Sequence, residues 1–254
     1  MKLHHQILGE GRPLLILHGL FGNLDNWASQ AKALANEYRV ISVDLRNHGR
    51  SPHNDEMTYP AMAADLVELL DDLGLERVLV LGHSMGGKAA MQLALLYPER
   101  VERLIVVDIA PVQYPNHHDD VFKGLFAVQL DSLKSRGDAD KQLAPFVPDA
   151  MVRAFLLRNL YRDENGVFAW RINLDGLQRS YAGISAAPVG SAFQGPTLFI
   201  KGGTSDYIRA DYRDALLALF PNAGYKVIDG AGHWPHAEKP ALMTRLIRNF
   251  LLEK

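Results

Sequence analysis

The chain has 254 residues, of which 48% are hydrophobic and 22% are charged, a composition typical of a globular protein with a sizeable core. Its formal net charge of −2 provides no bulk attraction to nucleic acid or to an anionic membrane. The absence of cysteine excludes disulfides, thiolate catalysis and cysteine-ligated metal sites. No apolar run is long enough to span a bilayer, and the first residues lack a signal-peptide core, so we expect a cytoplasmic protein.

Short apolar segments alternate with helical patterns through the first 110 residues. The predicted strands are Leu3–Ile7, Leu14–Leu17, Arg39–Val43, Val78–Leu81 and Val101–Val107. The predicted helices between them are Trp27–Ala35, Pro60–Leu73 and Met85–Leu96. Because several of the strands are almost wholly apolar, this alternation predicts an α/β fold whose mostly parallel sheet is covered by helices on both faces.

The alternation stops after residue 110 and resumes near residue 196. The resumed elements are the strands Thr197–Ile200 and Tyr225–Ile228 and the helices Ala210–Phe220 and Ala241–Leu252. The interval between contains predicted helices near Val121–Gln129, Ala150–Leu160 and Leu174–Tyr181, and an Asn165-Gly166 turn before the strand-like Val167–Ile172. Such a long interruption is typical of a functional insertion. We therefore predict a core of residues 1–110 and 196–254, with a cap of residues 111–195 over the active site.

A candidate nucleophile lies between a predicted strand and a predicted helix. The segment Gly82-His83-Ser84-Met85-Gly86 fits the pattern G-x-S-x-G, in which a strained turn exposes the serine hydroxyl. Residues two before and two after the serine must be small, because the turn brings their α-carbons together. The strand-to-helix context favours Ser84 as a nucleophile over a simple turn residue.

Serine needs a base, and His233 is the best placed of the ten histidines. It lies in Gly230-Ala231-Gly232-His233-Trp234, after an apolar strand and before the last helix, so it emerges at the same sheet edge as Ser84. The order of serine before histidine matches G-x-S-x-G hydrolases. We interpret His18 and His83 as structural and His117-His118-Asp119-Asp120 as a solvated surface, and we predict no metal site.

Acyl transfer places negative charge on a carbonyl oxygen, which fixed backbone N–H groups stabilise. The amide of Met85, at the start of the helix after the nucleophile, is one predicted donor. The second is the amide of Leu20 in His18-Gly19-Leu20-Phe21-Gly22, a turn that follows a buried strand. The sequence thus predicts an oxyanion hole formed by Leu20 and Met85.

Two aspartates compete to orient His233. Asp206 follows the strand Thr197–Ile200, the customary location of the acid, and topology slightly favours it. Asp108 follows the strand after that of the nucleophile, where a buried carboxylate needs a strong partner. Asp175, in the predicted cap, is a weaker third candidate.

Substrate contacts are predicted from aromatic and basic residues expected near the pocket. Six candidates lie next to the oxyanion donor or the base, in the predicted cap, or in neighbouring segments. They are Phe21, Trp234, Phe122, Tyr161, Arg46 and Lys88. The basic residues, together with Arg50, are positioned to meet a phosphate at the pocket mouth. Each of the aromatic residues fits a core position as well, and each cation fits an ordinary surface charge.

Four segments of the chain resemble one family. They are Gly82-His83-Ser84-Met85-Gly86-Gly87-Lys88, Asp44-Leu45-Arg46-Asn47-His48-Gly49-Arg50-Ser51, Val107-Asp108-Ile109-Ala110-Pro111-Val112 and Gly230-Ala231-Gly232-His233-Trp234. Together they resemble the α/β-hydrolase superfamily and, within it, the bacterial YbfF-type esterases. Mitochondrial hydrolases containing abhydrolase domain eleven are similar as well. The resemblance implies hydrolysis of acyl esters and thioesters, including acyl-CoA, without metal or cofactor. It also implies that Asp108 is the acid, and that Ser205 stands where most relatives carry an aspartate.

The identity of the nucleophile discriminates among the other functions found on the same fold. Haloalkane dehalogenases and epoxide hydrolases need a carboxylate nucleophile, which Ser84 is not. A carbon–carbon bond hydrolase or a perhydrolase would use the same Ser-His-Asp triad, and a non-catalytic binding protein would need none of it. We predict a small-molecule acyl ester or thioester as substrate, of short to medium chain length because the predicted cap lacks a long apolar stretch. The sequence carries no signal for the oligomeric state.

Overall fold

A computed structural model describes residues 1–252, in which a seven-stranded sheet forms the centre of the molecule. Its strands are β1 (His5–Leu8), β2 (Arg12–Leu17), β3 (Tyr38–Val43), β4 (Val78–His83), β5 (Val101–Val107), β8 (Thr197–Gly202) and β9 (Ala223–Ile228). Their order across the sheet is β1-β3-β2-β4-β5-β8-β9. Only β1 runs antiparallel to its neighbour, so the predicted mostly parallel sheet is confirmed.

Helices cover both faces of this sheet. Those of the sheet-forming parts of the chain are α1 (Ala28–Leu34), α2 (Tyr59–Asp72), α3 (Met85–Leu96), α9 (Arg213–Leu219), α10 (Pro235–Glu238) and α11 (Pro240–Leu252). The hydroxyl of Thr58 accepts a hydrogen bond from the amide of Ala61 and so caps α2, as the sequence predicts. No helix within residues 1–252 is both long and apolar enough to cross a membrane.

The sheet separates two apolar cores. Along β4 every residue from Val78 to His83 is buried, and the last four residues of β5 are buried as well. One face packs mainly against α2 and α3, and the other against α1 and α11 around Trp27 and Phe250. Burial on both faces explains why these strands are continuous apolar runs without polar alternation.

The segment between β5 and β8 forms five helices and a two-stranded hairpin. Its helices are α4 (Asp119–Ala127), α5 (Arg136–Leu143), α6 (Ala150–Leu156), α7 (Leu174–Arg179) and α8 (Tyr181–Ser185), and its strands are β6 (Leu160–Arg162) and β7 (Phe168–Trp170). The helix predicted to reach Leu160 ends at Leu156, because a 3₁₀ turn at Leu157–Asn159 follows and Leu160 already pairs in the hairpin. The unpredicted helix α5 has a strongly polar sequence, and its signal is the capping box of Ser135 and Asp138.

Parallel strands bring their carboxyl ends to one edge of the sheet. The register pairs Leu17 with Gly82, His83 with Val107, and Gly202 with Ile228. The loops that follow β2, β4, β5, β8 and β9 therefore meet at this edge. Residues far apart in the chain are brought together there.

Candidate active site

Ser84 occupies a strained turn between β4 and α3. Its φ of 53° is rare for a residue with a side chain, and its amide donates to the Val107 carbonyl of the neighbouring strand at 3.0 Å. A Cβ atom at Gly82 would lie 2.2 Å from the Gly86 carbonyl oxygen, and one at Gly86 would lie 2.4 Å from the His18 oxygen. The turn therefore requires glycine at both positions, which is the physical basis of the sequence pattern.

A continuous chain of hydrogen bonds joins Ser84, His233 and Asp108. The Ser84 Oγ lies 3.0 Å from His233 Nε2, and His233 Nδ1 lies 2.7 Å from Asp108 Oδ2. The ring of His83, whose pKa burial holds well below its usual range, is neutral, and its Nε2 donates to the His233 carbonyl at 2.7 Å. In this arrangement His233 can accept the Ser84 proton while Asp108 stabilises the imidazolium that forms.

Asp108 is completely buried where β5 ends, with a φ of 51°. Its Oδ1 accepts from the Gly202 amide at 2.9 Å, and its Oδ2 accepts from the hydroxyl of Ser205 in addition to His233. These bonds offset the cost of removing the carboxylate from water. Asp206, the competing candidate, points its exposed side chain away from this cluster, and Asp175 is exposed on α7.

The turn after β2 carries Leu20, one of the two predicted oxyanion donors. Phe21 has a φ of 59°, its amide donates to His48 Nε2 at 3.2 Å, and its carbonyl accepts from Asn159 Nδ2 at 2.6 Å. Within residues 1–252, neither the Leu20 amide nor the Met85 amide donates to a protein acceptor. Both amides are therefore available to a negatively charged oxygen beside Ser84.

Two buried neutral histidines hold this turn. Burial lowers the pKa of His18 to about 4 and that of His48 to about 3. His18 Nδ1 donates to the Gly19 carbonyl while its Nε2 accepts from the Leu45 amide, and His48 Nδ1 donates to the Arg46 carbonyl. Because the Phe21 amide needs an acceptor, His48 must remain neutral for the turn to keep its shape.

A cavity of about 160 Å³ opens over Ser84. The ring of Tyr207 stacks on His233 with centroids 3.9 Å apart, and the Trp234 ring meets His233 edge-on at 5.4 Å. Phe21 and Trp234, both predicted to contact substrate, line this cavity together with side chains of the β5–β8 segment, namely His118, Val121, Val152, Phe155 and Leu156. Apolar walls around a serine and a histidine suit an acyl group.

The other predicted substrate contacts lie elsewhere. Phe122 packs edge-on against the ring of Phe21, with centroids 5.2 Å apart, and does not line the cavity over Ser84. Tyr161 lies under the guanidinium of Arg171, and it lines a separate surface pocket and not the cavity over Ser84. Each ring packs against other side chains in place of the walls of this cavity, and a substrate contact at either residue stays a prediction.

Arg46 and Lys88 are buried rather than placed at a pocket mouth. The guanidinium of Arg46 pairs with Asp65 at 2.7 Å and donates to two backbone carbonyls. Lys88 lies in α3, and its ammonium donates to the carbonyls of Ser185 and Ala186 at 2.9 and 2.6 Å. Both cations therefore hold segments of backbone together, and Lys88 also lines a small cavity of about 40 Å³ that reaches Ser84. A substrate contact at either cation stays a prediction.

Three residues of the site were not predicted from the sequence. Tyr207 contacts the base, while His48 and Asn159 hold the turn that carries Leu20. His48 lies in one of the four segments that carry the family resemblance, but no local pattern marks its ring as a hydrogen-bond acceptor. Tyr207 and Asn159 carried no signal, since their roles depend on contacts with distant parts of the chain.

Fold and site together define a hydrolase that uses an activated serine. The sequence profile of the family described as alpha/beta hydrolase fold matches residues 12–240. The chain belongs to the α/β-hydrolase family.

Similar proteins indicate which type of α/β-hydrolase this chain is. The esterase YbfF of Escherichia coli is 43% identical over 240 residues, which cover 94% of this chain and 92% of that protein. The mouse protein named sn-1-specific diacylglycerol lipase ABHD11 is 43% identical over 247 residues, which cover 94% of this chain and 80% of that protein. A solved structure described as a marine microorganism esterase is 39% identical, with a TM-score of 0.96 and coverage of 98% and 99%. The resemblance drawn from the motifs is confirmed, and the chain is an enzyme, an ester hydrolase of the esterase and lipase type.

Proposed function

We propose that the chain hydrolyses carboxylic esters and thioesters through an acyl-enzyme formed on Ser84, with His233 as base and Asp108 as the orienting acid. The observation that carries the proposal is the hydrogen-bonded chain from Ser84 Oγ through both ring nitrogens of His233 to Asp108. It opens into an apolar cavity beside two unoccupied backbone amides. A nucleophile, its base, an orienting carboxylate and oxyanion donors are the complete set that acyl transfer needs.

The first half of the reaction transfers the acyl group to the enzyme. His233 Nε2 takes the proton of Ser84 as its Oγ bonds to the substrate carbonyl carbon, and the carbonyl oxygen becomes negative. The amides of Leu20 and Met85 donate to this oxygen. The tetrahedral intermediate then collapses, and His233 returns its proton to the departing oxygen or sulfur.

The second half restores the enzyme. A water molecule gives a proton to His233 and attacks the acyl carbon, again through an intermediate whose oxygen faces Leu20 and Met85. The bond to Ser84 Oγ then breaks, Ser84 regains its proton from His233, and the carboxylic acid leaves. The Tyr207 ring and the His83 hydrogen bond restrict His233 to the orientation that serves both halves.

The size of the cavity supports short- to medium-chain acyl groups as substrates. The space of about 160 Å³ over Ser84 shares Phe155 and Trp234 as wall residues with a groove of about 450 Å³. We propose that residues 111–195 form a cap over this site, because helices α4 and α6 supply part of the cavity wall. Thioesters such as acyl-CoA fit the same chemistry, because a thiol has a pKa of about 8.5 and its thiolate is a better leaving group than an alkoxide.

The experiment that tests the proposal combines active-site labelling with a substrate panel. A fluorophosphonate probe should label wild-type protein on Ser84, as located by mass spectrometry, and should not label Ser84→Ala. On p-nitrophenyl esters of increasing chain length, Ser84→Ala should lose about 10⁴- to 10⁶-fold in turnover. Retention of more than a few per cent of activity, or labelling at another residue, would refute the assignment of the nucleophile.

The same panel separates the substrate classes. Acyl-CoA thioesters and an emulsified diacylglycerol are added, the latter because one relative is named a diacylglycerol lipase. We expect turnover to fall beyond medium chain length and to extend to acyl-CoA. Activity confined to the diacylglycerol emulsion would overturn the substrate part of the proposal while leaving the catalytic part intact. Absence of both labelling and turnover would identify a non-catalytic binding protein.

A further inference from the structure

Four arginines surround a surface pocket that lies outside the catalytic cavity. We call this space of about 220 Å³ the arginine pocket, and its cations are Arg50, Arg136, Arg158 and Arg171. Arg50 follows β3, whereas the other three belong to the segment between β5 and β8. Two separate parts of the chain thus converge to place positive charge at one point in a protein whose net charge is −2.

The guanidinium groups of the arginine pocket have few partners on the protein. Within residues 1–252, none of them lies within 4.0 Å of a carboxylate, although Arg46 and Arg153 elsewhere each form an ion pair. Arg136 donates to the Leu160 carbonyl at 2.6 Å, and Arg171 stacks on the Tyr161 ring. The exposed side chains of Arg50 and Arg158 make no hydrogen bond to the described protein.

Two aspartates also line the arginine pocket, but they do not neutralise it. The buried carboxylate of Asp44 accepts from the amides of Leu24 and Arg50 at 2.8 and 2.9 Å and is therefore occupied. Asp25 is exposed at the pocket border. Four cations against two carboxylates leave an excess of positive charge, and like charges held together favour an anion between them.

The arginine pocket and the catalytic cavity each share wall residues with the groove of about 450 Å³. Asp25 and Arg158 line both the arginine pocket and the groove of about 450 Å³. Phe155 and Trp234 line both that groove and the cavity over Ser84. Between these ends the groove carries apolar surface, including Met151, whose side chain is 70% exposed. The nucleophile, an apolar groove wall and the cluster of guanidinium groups therefore follow one another along adjacent surfaces.

We propose that the arginine pocket binds a phosphate group on the leaving group of the substrate, with the groove holding the uncharged arm between phosphate and scissile bond. Guanidinium groups bind phosphate through paired N–H donors, which are the groups left free here. This proposal rests on the hydrolase activity proposed above and adds the chemistry of the leaving group. The phosphate can belong to a nucleotide-like thiol or to a phosphorylated glycerol, and the test distinguishes these two sources.

The test compares substrates that differ only in the phosphorylated part. The thioester pair is butyryl-CoA against butyryl-N-acetylcysteamine, and the ester pair is a 1-acylglycerol 3-phosphate against the matching 1-monoacylglycerol. Wild-type kcat/KM should be higher for the phosphorylated member of at least one pair, and the pair that shows the preference identifies the source. In the Arg50→Gln/Arg158→Gln double variant this preference should fall about tenfold. A wild type without preference in either pair would overturn the proposal.

The matched control removes the same two charges at positions away from the arginine pocket. Arg213 on α9 and Arg245 on α11 are exposed, and the Arg213→Gln/Arg245→Gln double variant should retain the wild-type preference. An equal loss in the two double variants would show a general effect of net charge and would overturn the assigned site. Raising the salt concentration should reduce the preference of wild type more than that of the Arg50→Gln/Arg158→Gln double variant, because exposed charges are screened.

A binding measurement separates failure of this site from failure of the proposed function. Titration of coenzyme A into Ser84→Ala protein detects the phosphate interaction without any turnover. Binding that weakens about tenfold when Arg50→Gln and Arg158→Gln are added would support the site even if no ester were hydrolysed. Binding that is the same with and without the two arginines, for coenzyme A and for glycerol 3-phosphate alike, would overturn the site even if hydrolysis were demonstrated.

Discussion

Asp108 and Asp206 have the same side chain, and both follow strands that end at the same edge of the sheet. Their surroundings nevertheless differ completely. Asp108 is buried and accepts from Gly202, Ser205 and His233, whereas the side chain of Asp206 is exposed. Ser205 occupies the inward position after β8 and donates its hydroxyl to Asp108. A hydroxyl there supports the buried carboxylate, while a second carboxylate would repel it.

This difference predicts unequal effects of two isosteric substitutions. Asp108→Asn should lower kcat for a p-nitrophenyl ester by about 10³- to 10⁴-fold, because the amide cannot stabilise the imidazolium or select the correct His233 tautomer. Asp206→Asn serves as the control and should stay within about twofold of wild type. The reverse ranking of the two variants would assign the acid to Asp206.

At the scale of elements, the β5–β8 segment helps to build the oxyanion turn. Asn159, which is fully buried between α6 and β6, donates to the Phe21 carbonyl from a position 138 residues away in the chain. His48, in the loop after β3, accepts from the amide of the same residue. The strained φ of Phe21 is therefore held from both sides, which fixes the conformation of the turn that carries the Leu20 amide.

We predict that Asn159→Asp lowers kcat by about tenfold to a hundredfold with little change in KM. The carboxylate cannot donate to the Phe21 carbonyl, so the turn relaxes and the Leu20 donor moves away from the developing oxyanion. Steady-state kinetics on a short-chain ester measure both constants. Asn222→Asp is a suitable control, since Asn222 donates to a carbonyl on the exposed surface. Unchanged kcat in Asn159→Asp would show that the turn keeps its shape without this bond.

Lys88 links helix α3 to the end of α8. Its ammonium donates to two carbonyls and lies 4.7 Å from the centre of the Tyr114 ring, while burial lowers its pKa to about 7. The side chain fills space in the interior next to the nucleophile helix. Its contacts indicate a structural tie between the core and the β5–β8 segment.

Lys88→Met should therefore reduce the free energy of unfolding by about 1–3 kcal/mol at pH 7. Methionine fills a similar volume but leaves the Ser185 and Ala186 carbonyls without a donor. Urea denaturation followed by circular dichroism measures the change. Lys141→Met, at an exposed position of α5, should alter the free energy by less than about 0.5 kcal/mol. A Lys88→Met protein as stable as wild type would mean that desolvation of the ammonium cancels its hydrogen bonds.

At the scale of the whole molecule, buried histidines make stability depend on pH. Burial lowers the pKa of His18 to about 4 and those of His48 and His236 to about 3, and it holds the pKa of His83 well below its usual range. In the unfolded chain these rings bind protons below about pH 6.5. Between that pH and about 4 the unfolded chain therefore binds more protons than the folded protein, and stability falls as pH falls.

We predict that the free energy of unfolding decreases by several kcal/mol between pH 7.5 and pH 5.0. Each fully buried histidine contributes at most about 1.4 kcal/mol per pH unit within the window. Urea denaturation at a series of pH values measures the slope. His53→Gln, which removes an exposed histidine, should show the wild-type slope. A free energy that stays constant over this range would show that the buried rings take up protons without unfolding.

The sequence alone determined the features that depend on local chemistry. Apolar runs and Pro or N-cap signals located the strands and the helices α2 and α3, since these signals act within a few residues. The pattern around Ser84 required a tight turn, because only glycine fits at positions 82 and 86. The order of Ser84 before His233, each after an apolar strand, predicted that the two would meet at one sheet edge.

Only the tertiary structure decided which distant groups meet. Asp108, the proposed acid, accepts from Ser205, which the loop after β8 turns inward, and the turn that carries Leu20 is held by His48 and Asn159, which no local pattern marks. Lys88 belongs to a predicted helix, but its burial follows from the packing of α8. The four cations of the arginine pocket come from positions 50 to 171 of the chain. Local preferences specify elements, whereas the paths of the loops between them set these contacts, and those paths follow from the packing of the whole chain.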